Sequence, residues 1–271
     1  MKAERACAAT LSCLAALLTN HPSSAQSSDE WRFRAIVYVY LPSVDGETTF
    51  PSSGGGGGAS ADASKILENL NFAFMGTFEA DKGRWGMFTD VIYLDIGDSE
   101  SPSRDISIGG GTLPASANAT IRYDLNGWLW TLAGLWRAAS APNYELNLIG
   151  GARLFDVDQN IDWQLSGNIG TVALPDRAGD RVASVNNWDA IVGLKGRVTF
   201  GEEHRWFVPY YLDVGTGESS LTWQATAGVG YAFGWGDVMC AWRHIEYDMK
   251  SGKSIEGMSF DGPGVAVAFR W

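Results

Sequence analysis

Along most of the chain, apolar and polar residues alternate with a period of two, the pattern of β-strands with one oily face. Trp223, Ala225, Ala227, Val229, Tyr231 and Phe233 share one face, and Thr222, Gln224, Thr226, Gly228, Gly230 and Ala232 the other. The final residues repeat the pattern, with Val265, Val267, Phe269 and Trp271 set against Gly264, Ala266, Ala268 and Arg270. Similar alternation runs through 31–41, 72–80, 85–95, 119–136, 144–155, 188–199, 206–215 and 237–248, which makes ten predicted strands, with eight as the alternative count.

A β-sandwich would also supply period-two strands, so the connections decide. In order they are 42–71, 81–84, 96–118, 137–143, 156–187, 200–205, 216–221, 234–236 and 249–259. Every odd connection but one is long and every even one is short. An up-and-down barrel with both termini in the periplasm has this rhythm, because short periplasmic turns alternate with longer extracellular loops. The predicted fold class is therefore all-β: a closed antiparallel up-and-down transmembrane β-barrel. Asp81-Lys82-Gly83-Arg84 and Gly234-Trp235-Gly236 have the chemistry of tight turns. Segment 119–136 is longer than one crossing needs, so its outer half is expected to project beyond the bilayer.

Composition agrees with this reading. The 271 residues include 33 Gly and 12 Trp, high for a soluble enzyme and usual where aromatic girdles bound a barrel. With 20 Lys+Arg against 31 Asp+Glu the net charge is −11, which argues against a nucleic-acid partner. The first segment has the form of an address: Lys2 and Arg5 precede an apolar run over 6–18, and Ser23-Ser24-Ala25 supplies small residues for cleavage. A signal peptide over 1–25 and a barrel over 26–271 are expected. A membrane anchor needs about 20 apolar residues, and Asn20, His21 and Pro22 interrupt this run. Thr10-Leu11-Ser12 is a poor approach to Cys13 as a lipid acceptor. Cleavage would remove Lys2, Glu4 and Arg5, leaving 18 basic and 30 acidic residues, net −12. Cys7 and Cys13 would leave too, and Cys240 alone can build no disulfide framework.

The alternating segments and the terminal Phe269-Arg270-Trp271 resemble the single-chain outer-membrane β-barrels of Gram-negative bacteria. Gly83-Arg84-Trp85-Gly86-Met87-Phe88-Thr89-Asp90-Val91-Ile92-Tyr93 and Gly228-Val229-Gly230-Tyr231-Ala232-Phe233-Gly234-Trp235 resemble an uncharacterised branch of that group. The resemblance covers 31–271. It implies an outer-membrane location among lipid and lipopolysaccharide, and assembly by the barrel-assembly machinery through the C-terminal strand. It brings no catalytic motif.

If the oily set faces lipid, the alternate set faces the lumen. That set contains Arg32, Arg34, Glu79, Asp90, Arg122, Asp124, Glu145, Arg153, Asp189, Lys195, Arg197, Asp213, Arg243 and Arg270. An Arg or Lys on the lipid face at the midplane costs about 2–4 kcal/mol, so such a partition is required. Inside a narrow barrel these charges can pair across the lumen as a structural network, or line a path for a small polar solute. Ten strands enclose little more than the space that eight fill with side chains, which excludes a general diffusion pore.

With the interior nearly balanced, the negative charge falls to the outer loops. Asp45, Glu47, Asp62 and Glu68 lie in the first, Asp98, Glu100 and Asp105 in the second, and Asp156, Asp158, Asp162, Asp176 and Asp180 in the third. Asp156, Asp158, Asn160 and Asp162 place four oxygen ligands at alternate positions, as a calcium loop does. The match ends there, with Ile161 where Gly belongs and Gly167 where a bidentate Glu belongs, and a strand with one polar face gives the same spacing. Gly54 to Gly58 read as a flexible tether, and no Gly-Lys-Ser/Thr follows to make a phosphate cradle. Residues 62–70 can form a short helix against the rim, with Ile66, Leu67 and Leu70 on one side.

For catalysis, His244 with Glu246 two residues on, and Ser219 in a neighbouring outer loop, form the Ser/His/Glu set that the outer rim offers. The register that keeps Arg243 inside turns His244 outward, and neither a nucleophile elbow nor a zinc motif is present. The sequence points to an outer-membrane barrel with a structural or surface-interaction role and no cofactor. Narrow solute passage is a second reading, and a lipid-modifying hydrolase using the rim set is the alternative.

Overall fold

The structure, a computed structural model, describes residues 30–48, 57–61, 70–102, 107–108, 111–112, 117–169, 172–173, 177–251 and 255–271. Ten long antiparallel strands follow the alternation: β1 (Trp31–Tyr40), β2 (Leu70–Lys82), β3 (Trp85–Pro102), β4 (Ala117–Ala141), β5 (Tyr144–Ile169), β6 (Arg177–Phe200), β7 (Trp206–Gly217), β8 (Ser219–Ala232), β9 (Gly236–Met249) and β10 (Ile255–Arg270). Each pairs with its sequence neighbours, and β1 pairs with β10, from Arg34 opposite Arg270 to Tyr40 opposite Gly264. The ring is therefore closed. Its seam continues past the last strand residue, where Phe33 and Trp271 exchange backbone hydrogen bonds of 2.9 and 3.2 Å.

The strands meet in tight turns at one end. Gly83-Arg84 joins β2 to β3, with Gly83 supplying the left-handed φ of 62° that a two-residue hairpin uses. Pro142-Asn143, 201–205 and 233–235 make the other turns at this end.

The outer surface is a hydrocarbon-facing belt between two aromatic girdles. Val37, Leu132, Val192, Leu212, Val229 and Val265 are exposed in the belt. At the turn end Trp31, Phe33, Phe78 and Trp271 stack with centroids about 6 Å apart, and Trp85, Trp136, Phe200, Trp206 and Trp235 continue the ring. At the other end Phe72, Tyr93 and Trp128 contact one another, followed by Trp130 against Trp188 and by Trp223. Trp128 and Trp136 are eight residues apart on β4, which at about 3.3 Å per residue and a tilt near 40° separates the girdles by about 20 Å. Soluble monomers do not expose continuous apolar surface on this scale.

Several expectations from the sequence change. β4, β5 and β6 are 25, 26 and 24 residues long, far beyond the roughly 10 that cross a bilayer. The third outer connection is thus largely strand: 156–165 pairs with 177–186, because its polar and apolar residues still alternate. The fourth outer connection shrinks to Glu218. In the first, Ser43–Thr48 and Gly57–Ala61 form a hairpin that adds to the outer end of β10, so Gly57 and Gly58 of the glycine run are strand and not tether. Leu70 opens β2; the rest of the expected helix lies outside the described residues, as do the expected signal peptide and Gly54 to Gly56.

Inward glycines let the strands curve closely. A Cβ on Gly193 would sit 2.1 Å from the Leu212 carbonyl oxygen and 2.8 Å from Asp213 Cβ. Gly193→Val is expected to lower stability by about 1–3 kcal/mol, measured as a lower denaturant midpoint for loss of the fast-migrating folded band in unboiled gels.

Candidate functional site

The inward face is set by strand parity. Even positions of β1, β3, β8 and β10 and odd positions of the other six point into the barrel, and the lumen they fill has two unlike halves. Midway up, side chains from eight strands form one polar belt. Arg243 donates to Asp90 Oδ2 at 2.9 Å, to Gln224 Oε1 at 3.1 Å and to the Tyr38 hydroxyl at 3.1 Å. Asp90 also accepts from Tyr38 at 2.9 Å and Thr77 at 2.6 Å. Gln224 takes a second hydrogen bond from Arg153 at 3.1 Å and so joins the two arginines. Arg153 pairs with Asp213 and donates to Thr131 at 3.2 Å, while Tyr211 donates to Asp213.

Arg153, at 0% exposure, and Asp213, at 2%, are fully withdrawn from water. Isolated charges would not survive there; paired and hydrogen-bonded ones do. The belt ties strands that are not neighbours: Arg153 on β5 to Asp213 on β7, two strands along the wall, and Arg243 on β9 to Asp90 on β3, across the barrel.

Beyond the belt, toward the long strands, the lumen is apolar. Met75, Ile92, Leu129, Phe155, Val157, Val185, Ile245, Tyr247 and Met249 pack as one core, with Phe155 stacked on Tyr247 at 4.6 Å. Asp189 lies at the edge of this half, where it accepts from the Ser219 backbone N–H and hydroxyl, both at 2.8 Å. Below the belt, toward the tight turns, a cavity of about 200 Å³ remains, lined among others by Arg34, Glu79, Phe88, Lys195, Arg197 and Phe207. Lys195 and Arg34 share Glu79, while Arg197 and Arg270 share Asp237. Glu145 faces Arg137 at 3.7 Å and accepts from Asn147 at 2.9 Å.

Of the residues proposed from sequence for the lumen, Asp90, Arg153, Asp213 and Arg243 thus meet in the belt, and Glu79, Glu145, Lys195 and Arg197 surround the cavity. Asp189 belongs to neither. Arg122 lies in the outer extension of β4, opposite Glu100 and Asp162 in register. Arg122 and Asp124 both have the strand parity of the outward Trp128 and Trp130, so their inward assignments are corrected. Uncharged members were missed: Tyr38, Thr77, Thr131, Tyr211 and Gln224 complete the belt's hydrogen bonds. Asp237, Arg137 and Asp81 were missed as well. Parity with Arg243 on the same strand was the available signal for Asp237.

The rim set is not assembled. Ser219 is buried inside against Asp189, whereas His244 is on the outer wall, with Nδ1 3.0 Å from Asp261 Oδ1 and its ring 4.5 Å from Trp223. Glu246 stays beside it and accepts from Trp223 Nε1 at 2.7 Å. The wall separates serine from histidine, so the Ser/His/Glu expectation fails. The calcium-like spacing of Asp156, Asp158, Asn160 and Asp162 is a strand face on β5, where Phe155 and Val157 take the inward positions and Asp156 accepts from Asn186 at 2.8 Å. Alternate oxygens along an extended strand stand about 6.6 Å apart and do not wrap an ion.

A closed ten-strand ring with an apolar belt, twin girdles and a polar-belted lumen has the fold of the outer-membrane β-barrels. Structural comparison agrees. The outer membrane protease OmpT of Escherichia coli is similar with a TM-score of 0.53 at 10% identity, over 92% of this chain and 99% of that one. The Pseudomonas putida toluene transporter TodX gives 0.34 at 11% identity, over 94% and 93%. Ail of Yersinia pestis gives 0.31 at 9% identity, over 89% and 99%. No family model matches the chain, and no curated protein matches it by sequence. The likeness to OmpT concerns the fold alone and transfers no residue roles.

The belt has a stability signature. Arg153→Met leaves Asp213 buried without its cation and should lower stability by about 3–5 kcal/mol. Replacing both, as Arg153→Met with Asp213→Leu, should restore more than half of that loss in denaturant titrations of the folded band.

Proposed function

We propose that this protein is an outer-membrane β-barrel of a Gram-negative bacterium whose lumen is closed and whose work is done at the cell surface by the tall wall of β4, β5 and β6. It is exported through the signal over 1–25 and inserted by the barrel-assembly machinery through β10. Its belt sits in lipid and its outer girdle at the level of lipopolysaccharide. The observation that carries this reading is the filled lumen: an arginine-centred belt crossed by hydrogen bonds, backed by an apolar core on the side of the long strands.

A conduit would need a continuous polar path, and Phe155, Ile245 and Tyr247, each at or below 1% exposure, occupy that route. The wall, in contrast, presents paired strands well past the girdle, with Ser184, Asp156 and Asp158 turned outward. Separation of Ser219 from His244 removes the support for hydrolysis by that set.

Two measurements test this. Folded protein reconstituted in planar bilayers is expected to give no conductance steps above the lipid background; reproducible steps would refute a closed lumen. On intact cells a membrane-impermeant maleimide should label Ser184→Cys in the β5–β6 wall and leave Glu203→Cys in the turn at 201–205 unlabelled. Native Cys240, exposed in the hydrocarbon belt between Val229 and Val265, should stay silent in both. The reverse labelling pattern would overturn the orientation.

A further inference from the structure

The lower cavity is lined by four cations, Arg34, Lys195, Arg197 and Arg243, and four carboxylates, Glu79, Asp90, Glu145 and Asp237, and the pairing among them is uneven. Glu79 is shared by Lys195 and Arg34, and Asp237 by Arg197 and Arg270, so two carboxylates hold four cations. Elsewhere Arg32 and Arg137 meet Asp81, Arg137 also faces Glu145 at the cavity wall, and Arg243 pairs with Asp90 in the belt. The pairing is loose where it faces the cavity. Arg34 stands 3.7 Å from Glu79 and Arg197 3.5 Å from Asp237, with side chains 27% and 26% exposed, so both can turn donors to a guest. In a partly desolvated space closed above by the belt, two guanidinium groups whose carboxylates each serve a second cation attract an anion more strongly than they would in water.

The cavity is not simply a counter-ion hole. Lys195 Nζ lies 4.6 Å from the centroid of Phe88, and the Arg197 guanidinium 5.5 Å from that of Phe207. Ile36, Pro209 and Met239 add further apolar wall. Cationic heads and aromatic faces therefore stand side by side, which suits a guest with an anionic head on an apolar body. The 200 Å³ volume equals about seven waters at ~30 Å³ each, room for one small ring with its head group.

From this arrangement we infer that the lower cavity is a binding site for a small aromatic carboxylate, entering from the end that carries the tight turns. The carboxylate lies between Arg34 and Arg197, and the ring packs against Phe88 and Phe207. The side of entry, the periplasm, rests on the orientation proposed above. Binding itself does not rest on that orientation or on conductance, so bilayer silence without binding would overturn this inference alone.

The test is calorimetric titration of the folded full chain in detergent with benzoate, and with benzamidine, benzyl alcohol and inorganic phosphate as comparisons. Benzoate should bind saturably, weaken as ionic strength rises, and exceed each comparison by at least tenfold. Arg34→Gln and Arg197→Gln should each weaken it about tenfold with the fast-migrating folded band retained, and Asp237→Asn should tighten it several-fold. Absent saturation, equal binding of benzamidine or benzyl alcohol, competition by phosphate at equal concentration, or indifference to these substitutions in folded protein would each overturn the assignment. If a variant fails to fold, the four-ligand comparison on the native chain still decides.

Discussion

One constraint governs this molecule: within hydrocarbon no water is available to pair a backbone N–H or C=O, so every strand must find a partner on both sides. Ten strands satisfy it by closing on themselves, with β1 against β10 and the Phe33–Trp271 pair completing the seam. Closure in turn imposes the side-chain sorting. Each strand crosses with one face in lipid and one in the lumen, and a one-residue slip on any strand would exchange the two. Val229 and Val265 in the belt, against Thr226 and Arg243 within, are direct consequences of that register.

A ring of this size encloses too much space for backbone alone and too little for a wide channel, so its interior must be packed. The packing divides by height. Where the wall is in lipid, charges from non-neighbouring strands meet, and each is tolerable because its partner and neutral donors or acceptors meet it at hydrogen-bonding distance. Gln224 is the link that turns two separate ion pairs into one belt. Where the wall rises beyond the girdle, water bathes the outside, and the barrel behaves as an ordinary protein turned right side out: Phe155 and Val157 inside, Asp156 and Asp158 outside. The inversion from polar interior to apolar interior follows the change of solvent around the wall.

That inversion also explains the failed candidates. Ser219 is drawn inside by Asp189, while His244, one position from Arg243, is carried to the outer wall between Trp223 and Asp261. Residues adjacent in sequence are on opposite sides of a β-wall, and residues far apart, such as Tyr38 and Arg243, become neighbours inside the lumen.

The alternation of Trp223, Ala225 and Ala227 with Thr222, Gln224 and Thr226, the tight-turn chemistry at Gly83-Arg84 and the sidedness of Arg153, Asp213 and Arg243 were legible in the chain, because period-two patterning is a local property read without knowing the partner strand. Strand number, closure and most inward charges follow from it. Strand length past the girdle was not legible, since a solvated hairpin and a polar loop share composition. The partners within the lumen were not legible either. Which cation meets which carboxylate, the linking role of Gln224, and the two carboxylates that each hold two cations depend on shear and diameter. Those are set by all ten strands together and written in none of them.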